Sequence, residues 1–217
     1  SSLEEEMKQH IDGLYYPDTG QTCYEWTMIE IGIPYLLMDS VKQLNRPVES
    51  VIHAGGNIGI YALQFAKRAK NVYVFEPAHE NFAALSLNCA YTENIYLYKA
   101  ALGCEHRPIQ MFNPAPDLQC GAWQVRDSGN IPTLRIDDLG LNDVSIIHLD
   151  IEGYEFFAIK GAIDTIKRSR PILAFELLDH NTNYDYTRDE LFDYVTNDLG
   201  YKRYMKYANE IMFMDEK

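Results

Sequence analysis

The sequence predicts an α/β protein: a mostly parallel sheet with helices on both faces and an antiparallel hairpin at its end. Three observations predict it. Short apolar runs alternate with helical patterns along most of the chain, the arrangement that builds parallel sheets. The first run, Val51-Ile52, breaks at a glycine-rich turn, His53-Ala54-Gly55-Gly56-Asn57-Ile58-Gly59. Three of the runs end in an acid: Glu76, Asp150 and Glu176. In such sheets ligands bind outside the carboxyl ends of the strands, so these acids mark a candidate site.

Taken in order, residues 1–46 are expected to form an N-terminal helical cover and residues 47–217 the α/β domain. Tyr24 to Leu44 has a helical pattern, with Pro34 opening a helix that turns Leu37, Val41 and Leu44 inward. After the glycine turn, Ile58, Ala62, Phe65 and Ala69 share one helix face. Val72-Tyr73-Val74-Phe75 is the next strand and closes on Glu76-Pro77; Phe82, Leu85 and Cys89 mark another helix. Ile95-Tyr96-Leu97-Tyr98 leads into Lys99-Ala100-Ala101-Leu102-Gly103, whose small side chains would let a flat ring lie against the backbone. Residues 103–130, rich in proline, glycine and asparagine, read as an irregular hairpin or loop over the strand ends, with Phe112, Gln119 and Trp123 available to a substrate. Ile131 to Leu139 is a strand entering a turn. Ser145–Leu149 is a core strand, and Phe156, Ile159, Ile163 and Ile166 describe one amphipathic helix after it. Pro171–Glu176 is the fifth strand, Leu191–Leu199 a last helix, and Tyr201–Lys206 with Glu210–Met214 an edge hairpin.

Composition narrows the function. A net charge of −13 over 217 residues argues against a nucleic-acid backbone or an anionic membrane as partner. No apolar run approaches the roughly twenty residues of a membrane span. The start, SSLEEEMKQH, shows no secretory pattern, so a cytoplasmic location is expected. The four cysteines have no zinc spacing, and free thiols and no metal are expected. Lys167-Arg168-Ser169-Arg170 suits the C-terminal end of a helix.

The glycine turn discriminates between nucleotides. Counting from Gly55, the third and sixth positions of a dinucleotide fingerprint fall on Asn57 and Ile60, so G-x-G-x-x-G fails. What stands instead is Gly55, Asn57 and Gly59, which resembles the first motif of class I S-adenosylmethionine (SAM) methyltransferases. In this reading Gly55 and Gly56 leave backbone N–H groups uncovered, Asn57 caps the following helix, and Glu76 accepts the ribose hydroxyls.

With HAGGNIG, VFEPAHENF, IPTLRIDDL and HLDIEGYEFFAIKGA in order, residues 50–180 resemble the FkbM family of SAM-dependent methyltransferases. The resemblance implies a Rossmann-like class I methyltransferase fold with a seven-stranded sheet, SAM as cofactor, and methylation of a hydroxyl on a small molecule, sugar or lipid-like acceptor. It implies that Gly55, Gly56, Asn57 and Gly59 hold the methionine part of SAM. Glu76 takes the ribose; Pro77 beside it in sequence and Ala101, from the small-residue run read above as a seat for the adenine, complete the cofactor-binding candidates. Asp150 and Glu152 face the sulfonium and the acceptor. Asp150 is the expected base, with His180 the second candidate, and Glu155 is expected to serve its own turn. The family usually carries an acid where this chain has His53, a position associated with the amino group of SAM. That departure keeps a SAM-binding protein with little or no catalysis as an alternative; a nicotinamide-dependent oxidoreductase is the more distant one.

Overall fold

The strand expected at Val51-Ile52 runs from Ser50 to Ala54, and all five of its residues are buried (β3). Its successive side chains point to opposite faces, as the pleat requires. Val51 and His53 face one layer of helices; Ile52 and Ala54 face the other. The computed structural model describes residues 7–9, 12–17, 28, 31–114, 122–176 and 184–215.

Before β3 lie a two-stranded hairpin, Met7–Gln9 (β1) with Tyr15–Pro17 (β2), and the helix Gly32–Gln43 (α1). The cover expected to be helical is therefore partly a hairpin. Beyond β3 come Ile60–Ala66 (α2), Asn71–Phe75 (β4), His79–Cys89 (α3), Ile95–Tyr98 (β5) and the short Ala101–Leu102 (β6). Ile109–Phe112 (β7) and Gln124–Asp127 (β8) form an antiparallel pair, and Thr133–Leu134 (β9) lies parallel to β6. Val144–Leu149 (β10), Glu155–Lys160 (α4), Ile163–Ser169 (α5), Ile172–Glu176 (β11) and Arg188–Asp193 (α6) follow. The hairpin Arg203–Tyr207 (β12) with Glu210–Met214 (β13) ends the described chain.

Seven strands form one sheet in the order β12-β13-β11-β10-β3-β4-β5. The five strands from β11 to β5 are parallel, and β13 and β12 add antiparallel at one edge. On one face α1, α2 and α3 bury Leu37, Phe65 and Leu85 against Val51, Val72, Val74 and Ile146. On the other, α4, α5 and α6 bury Ile159, Ile166 and Leu191 against Ile52, Phe75, Ile147 and Phe175. Each such side chain, fully removed from water, contributes roughly 1.5–3 kcal/mol.

Two local readings are corrected. The single helix expected across Phe156–Ile166 is two, because the chain breaks at Gly161-Ala162. A Cβ at Gly161 would lie 2.0 Å from the carbonyl oxygen of Gly103, so the break lets the segment after β6 pack directly on the helix end. The second correction concerns Asn57. The helix starts at Ile60, with Gly59 in the capping position at φ 96° and no side-chain cap. Asn57 instead occupies the tight turn itself, at φ 47°.

The basic run Lys167–Arg170 closes α5. Arg168 donates to the Leu141 carbonyl, while Arg170 donates to the Leu199 carbonyl, stacks on Tyr201 and pairs with Asp215. Among the described cysteines, Cys89 and Cys104 are free thiols. No helix among the described residues is long and apolar enough to cross a membrane. No group of three or more potential ligands among them is placed to hold a metal.

Candidate active site

The carboxyl ends of β3, β4 and β10 surround a cavity of about 280 Å³. Of the candidate residues, His53, Gly55, Gly56, Asn57, Glu76, Pro77, Ala101, Asp150 and Glu152 all line it, and so does Glu176. Gly59 does not; it starts the helix behind the turn. His180 lies outside the described residues.

The glycine turn works differently from its expected role. The N–H groups of Gly55 and Gly56 both donate to the Phe75 carbonyl, at 3.0 Å each, and the Gly59 N–H donates to the Gly56 carbonyl. These amides are spent on the turn. Gly55 is required for space and conformation: its φ is 84°, and a Cβ there would lie 1.9 Å from the carbonyl oxygen of Asp150. The turn thereby locks the end of β3 onto the end of β10, where the Asp150 N–H also donates to the Ala54 carbonyl.

Glu76 is buried at the tip of β4. Its Oε2 accepts the Asn57 N–H at 2.7 Å and its Oε1 the Ala78 N–H at 2.8 Å. An ionised carboxylate has about four acceptor sites, so two remain toward the cavity. Burial pushes this carboxyl up to about 7, two amide hydrogen bonds pull against that, and the Asp150 charge adds to the rise.

The turn after β10 holds the other acids. Asp150 is exposed at its strand end, and Glu152 follows at φ 53°, an uncommon conformation for a residue with a side chain. Glu155, 2 % exposed, reaches back to accept the N–H groups of Ile151 and Gly153. It anchors the turn and is not part of the cavity wall. Burial, then the Asp150 charge, then Glu155 push Glu152 up to about 8. Glu155 itself is pushed up to about 7 by burial, against its amide hydrogen bonds.

Ala100, Ala101 and Leu102 form a smooth wall beyond Glu76, and Met111, Ala122, Trp123 and Val125 from the β7–β8 segment face the acids. Trp123, one of the three aromatic and polar residues singled out in this segment, thus lines the cavity. Phe112 is not on the wall: it is exposed, with the Arg126 guanidinium 4.5 Å above its ring. Gln119 lies outside the described residues. Tyr184 holds this insertion in place by accepting the Val125 N–H and donating to its carbonyl.

Sequence reasoning missed the partners of His53. His53 and His148 are register neighbours on β3 and β10, with their Nδ1 atoms 2.9 Å apart, and His148 Nε2 lies 2.7 Å from Glu210 Oε1 on β13. The tripeptide His148-Leu149-Asp150 carried the only hint, a histidine two residues before a site acid.

One feature of the wall defines its chemistry. Among the described residues it carries Glu76, Asp150, Glu152 and Glu176 and neither lysine nor arginine. That suits a cationic or neutral ligand and offers no cation to a pyrophosphate.

Fold and sequence together place the chain among class I methyltransferases. The Methyltransferase FkbM domain matches residues 53–203, and the chain belongs to that family. A solved structure of Methyltransferase FkbM from Methylobacillus flagellatus is similar at TM-score 0.52 and 19% identity, over 77% of this chain and 43% of that one. This chain thus spans less than half of that protein's length. A putative caffeoyl-CoA O-methyltransferase from Staphylococcus aureus is similar at TM-score 0.53 and 12% identity, over 99% and 93% of the two chains. An rRNA methylase from Streptococcus thermophilus is similar at 0.50 and 14%, over 87% and 95%. Among curated proteins none matches the sequence.

Proposed function

We propose that this protein is a SAM-dependent methyltransferase that methylates a hydroxyl group of a small molecule, sugar or lipid-like acceptor. The observation that carries the cofactor is the wall of four acids with, among the described residues, neither lysine nor arginine. SAM bears a sulfonium and an ammonium and has no phosphate, so this acidic wall fits it and disfavours a dinucleotide.

Glu76 accepts the ribose hydroxyls through the acceptor sites its two amide partners leave. Ala100, Ala101 and Leu102 offer the flat apolar wall that an adenine needs. The turn Gly55–Asn57 and the end of β10 border the methionine part. When bound, SAM supplies an electrophilic methyl group on sulfur. The protein's remaining work is to align the acceptor and remove a proton, and alignment alone can contribute roughly 7–11 kcal/mol. Asp150, at the strand tip and open to solvent, takes the proton of the acceptor hydroxyl. Glu152 keeps its proton at neutral pH and donates a hydrogen bond at the same rim. The apolar strip of Met111, Trp123 and Val125 seats the body of the acceptor.

Calorimetry with SAM and with NAD tests the cofactor: heat from SAM and none from NAD is expected, and the reverse would replace this reading with a dehydrogenase. A mass-shift screen of alcohols and sugars with labelled SAM then identifies the acceptor. Asp150→Asn should hold SAM within about twofold while turnover falls by roughly 10²–10⁴. Unchanged turnover would remove Asp150 as the base.

A further inference from the structure

Among the described residues no strand pairs with the outer edge of β12. All five of its residues, Arg203-Tyr204-Met205-Lys206-Tyr207, are exposed, whereas every residue of its neighbour β13 is buried. Tyr204, Met205 and Tyr207 are 53 %, 40 % and 47 % exposed. An edge strand with so much apolar surface invites a further strand, and natural proteins deter it with charge. The charges here are Arg203 and Lys206, and they deter a second strand only if they meet like charges on it.

The hairpin fixes which groups face outward. Tyr207 and Glu210 close a two-residue turn as a hydrogen-bonded pair, and the antiparallel alternation makes Met205–Met212 and Arg203–Met214 hydrogen-bonded pairs too. The N–H and C=O groups of Tyr204 and Lys206 therefore point away from the sheet. Side chains alternate between its faces. Tyr204 meets Phe192 of α6 edge-on, with ring centroids 5.1 Å apart. On the other face, with Arg203 and Met205, the Tyr207 hydroxyl lies 3.4 Å from the place a Cβ on Gly32 of α1 would take.

The strand is complementary to itself. A second copy laid antiparallel and centred on Met205 sets Tyr204 opposite Lys206 and Arg203 opposite Tyr207, with the Met205 side chains meeting on the axis. The outward groups of Tyr204 and Lys206 then bond to one another, and each cation faces an aromatic ring. Moving the centre by one residue loses this. Centred on Lys206, two lysines meet; centred on Tyr204, Lys206 meets Lys202. We propose that β12 is the surface through which this protein pairs with a second copy of itself, joining two sheets into one across a two-fold axis. A ladder of five residues is a small interface, so the dimer forms in the micromolar range.

Sedimentation equilibrium of the unaltered protein from about 5 to about 500 μM should show monomer giving way to dimer; monomer throughout overturns the proposal. Met205→Cys locates the axis. Facing residues of that kind have Cα atoms about 4.5 Å apart, within reach of a disulfide, so mild oxidation should yield a covalent dimer. Lys206→Cys, which faces tyrosine, should yield no more than the background set by the protein's own cysteines. Equal cross-linking of the two variants, or none of Met205→Cys, overturns the proposal. Tyr204→Lys puts a second cation against Lys206 and should weaken the dimer by about tenfold or more. Adding Lys206→Tyr restores the pairs in exchanged order and should return the affinity to within about threefold of the parent. A double variant no tighter than Tyr204→Lys overturns the proposal. Tyr204, Met205 and Lys206 are all exposed, so none of these changes touches the core.

Discussion

Glu76 and Glu155 are built alike and do different work. Each follows a parallel strand of the sheet, each is almost wholly buried, and each carboxylate accepts two backbone N–H groups: Asn57 and Ala78 for Glu76, Ile151 and Gly153 for Glu155. Burial pushes both up to about 7. Yet Glu76 borders the cavity, while Glu155 lies behind the turn that presents Asp150 and Glu152. A doubly accepted buried acid is therefore a local staple first, and only its view of the cavity makes it a ligand contact.

Removing each acid separates the two roles. Glu155→Ala leaves the amides of Ile151 and Gly153 without their acceptor. At about 1–3 kcal/mol for each unmade buried hydrogen bond, a loss of roughly 2–6 kcal/mol is expected in urea denaturation. Glu76→Ala also frees two amides, that of Asn57 on the cavity wall and that of Ala78 buried behind it, so a comparable loss of stability is expected. Its distinguishing effect is expected in calorimetry, where SAM should bind roughly ten- to a hundredfold more weakly. If SAM binding is unchanged in Glu76→Ala, or falls as far in Glu155→Ala, the distinction between staple and ligand contact is wrong.

Much of this was legible in the sequence, for physical reasons. Period-two and helical patterns are dictated by which faces are buried, so the strands at Val51, Val72, Ser145 and Ile172 and the edge hairpin could be read directly. Acids at strand ends are visible because apolar strands stop abruptly at them. What stayed hidden depends on contacts between distant residues. Gly55 reads as a ligand-cradling glycine, but the atom that forbids a Cβ there belongs to Asp150, ninety-five positions on. Asn57 has the chemistry of a helix cap, and the tight turn claimed it before the helix began. Phe156 to Ile166 keeps its helical period across a break, because Gly161 answers to Gly103 rather than to its own helix. The row from His53 through His148 to Glu210 spans four neighbouring strands, from β3 to β13, and no local pattern encodes it.

The smallest expected effect bears on the shared property of the two acids. A carboxyl near 4.5 in the unfolded chain and near 7 in the folded one keeps its proton longer when folded. Its contribution to stability is full below about pH 4.5, declines as pH rises through that window, and is gone above about pH 7, by at most about 1.4 kcal/mol per pH unit per group. Urea denaturation between pH 5 and 8 should show such a decline, and Glu155→Gln, which keeps an acceptor but cannot ionise, should make it shallower. Ligand binding should move the opposite way. A cationic ligand favours ionised Glu76, so SAM affinity should rise between pH 6 and 8 in the unaltered protein and in Glu155→Gln. In Glu76→Gln that rise should shrink. A pH profile of binding that follows Glu155 instead of Glu76 would mean that the staple and the ligand contact had been assigned the wrong way round.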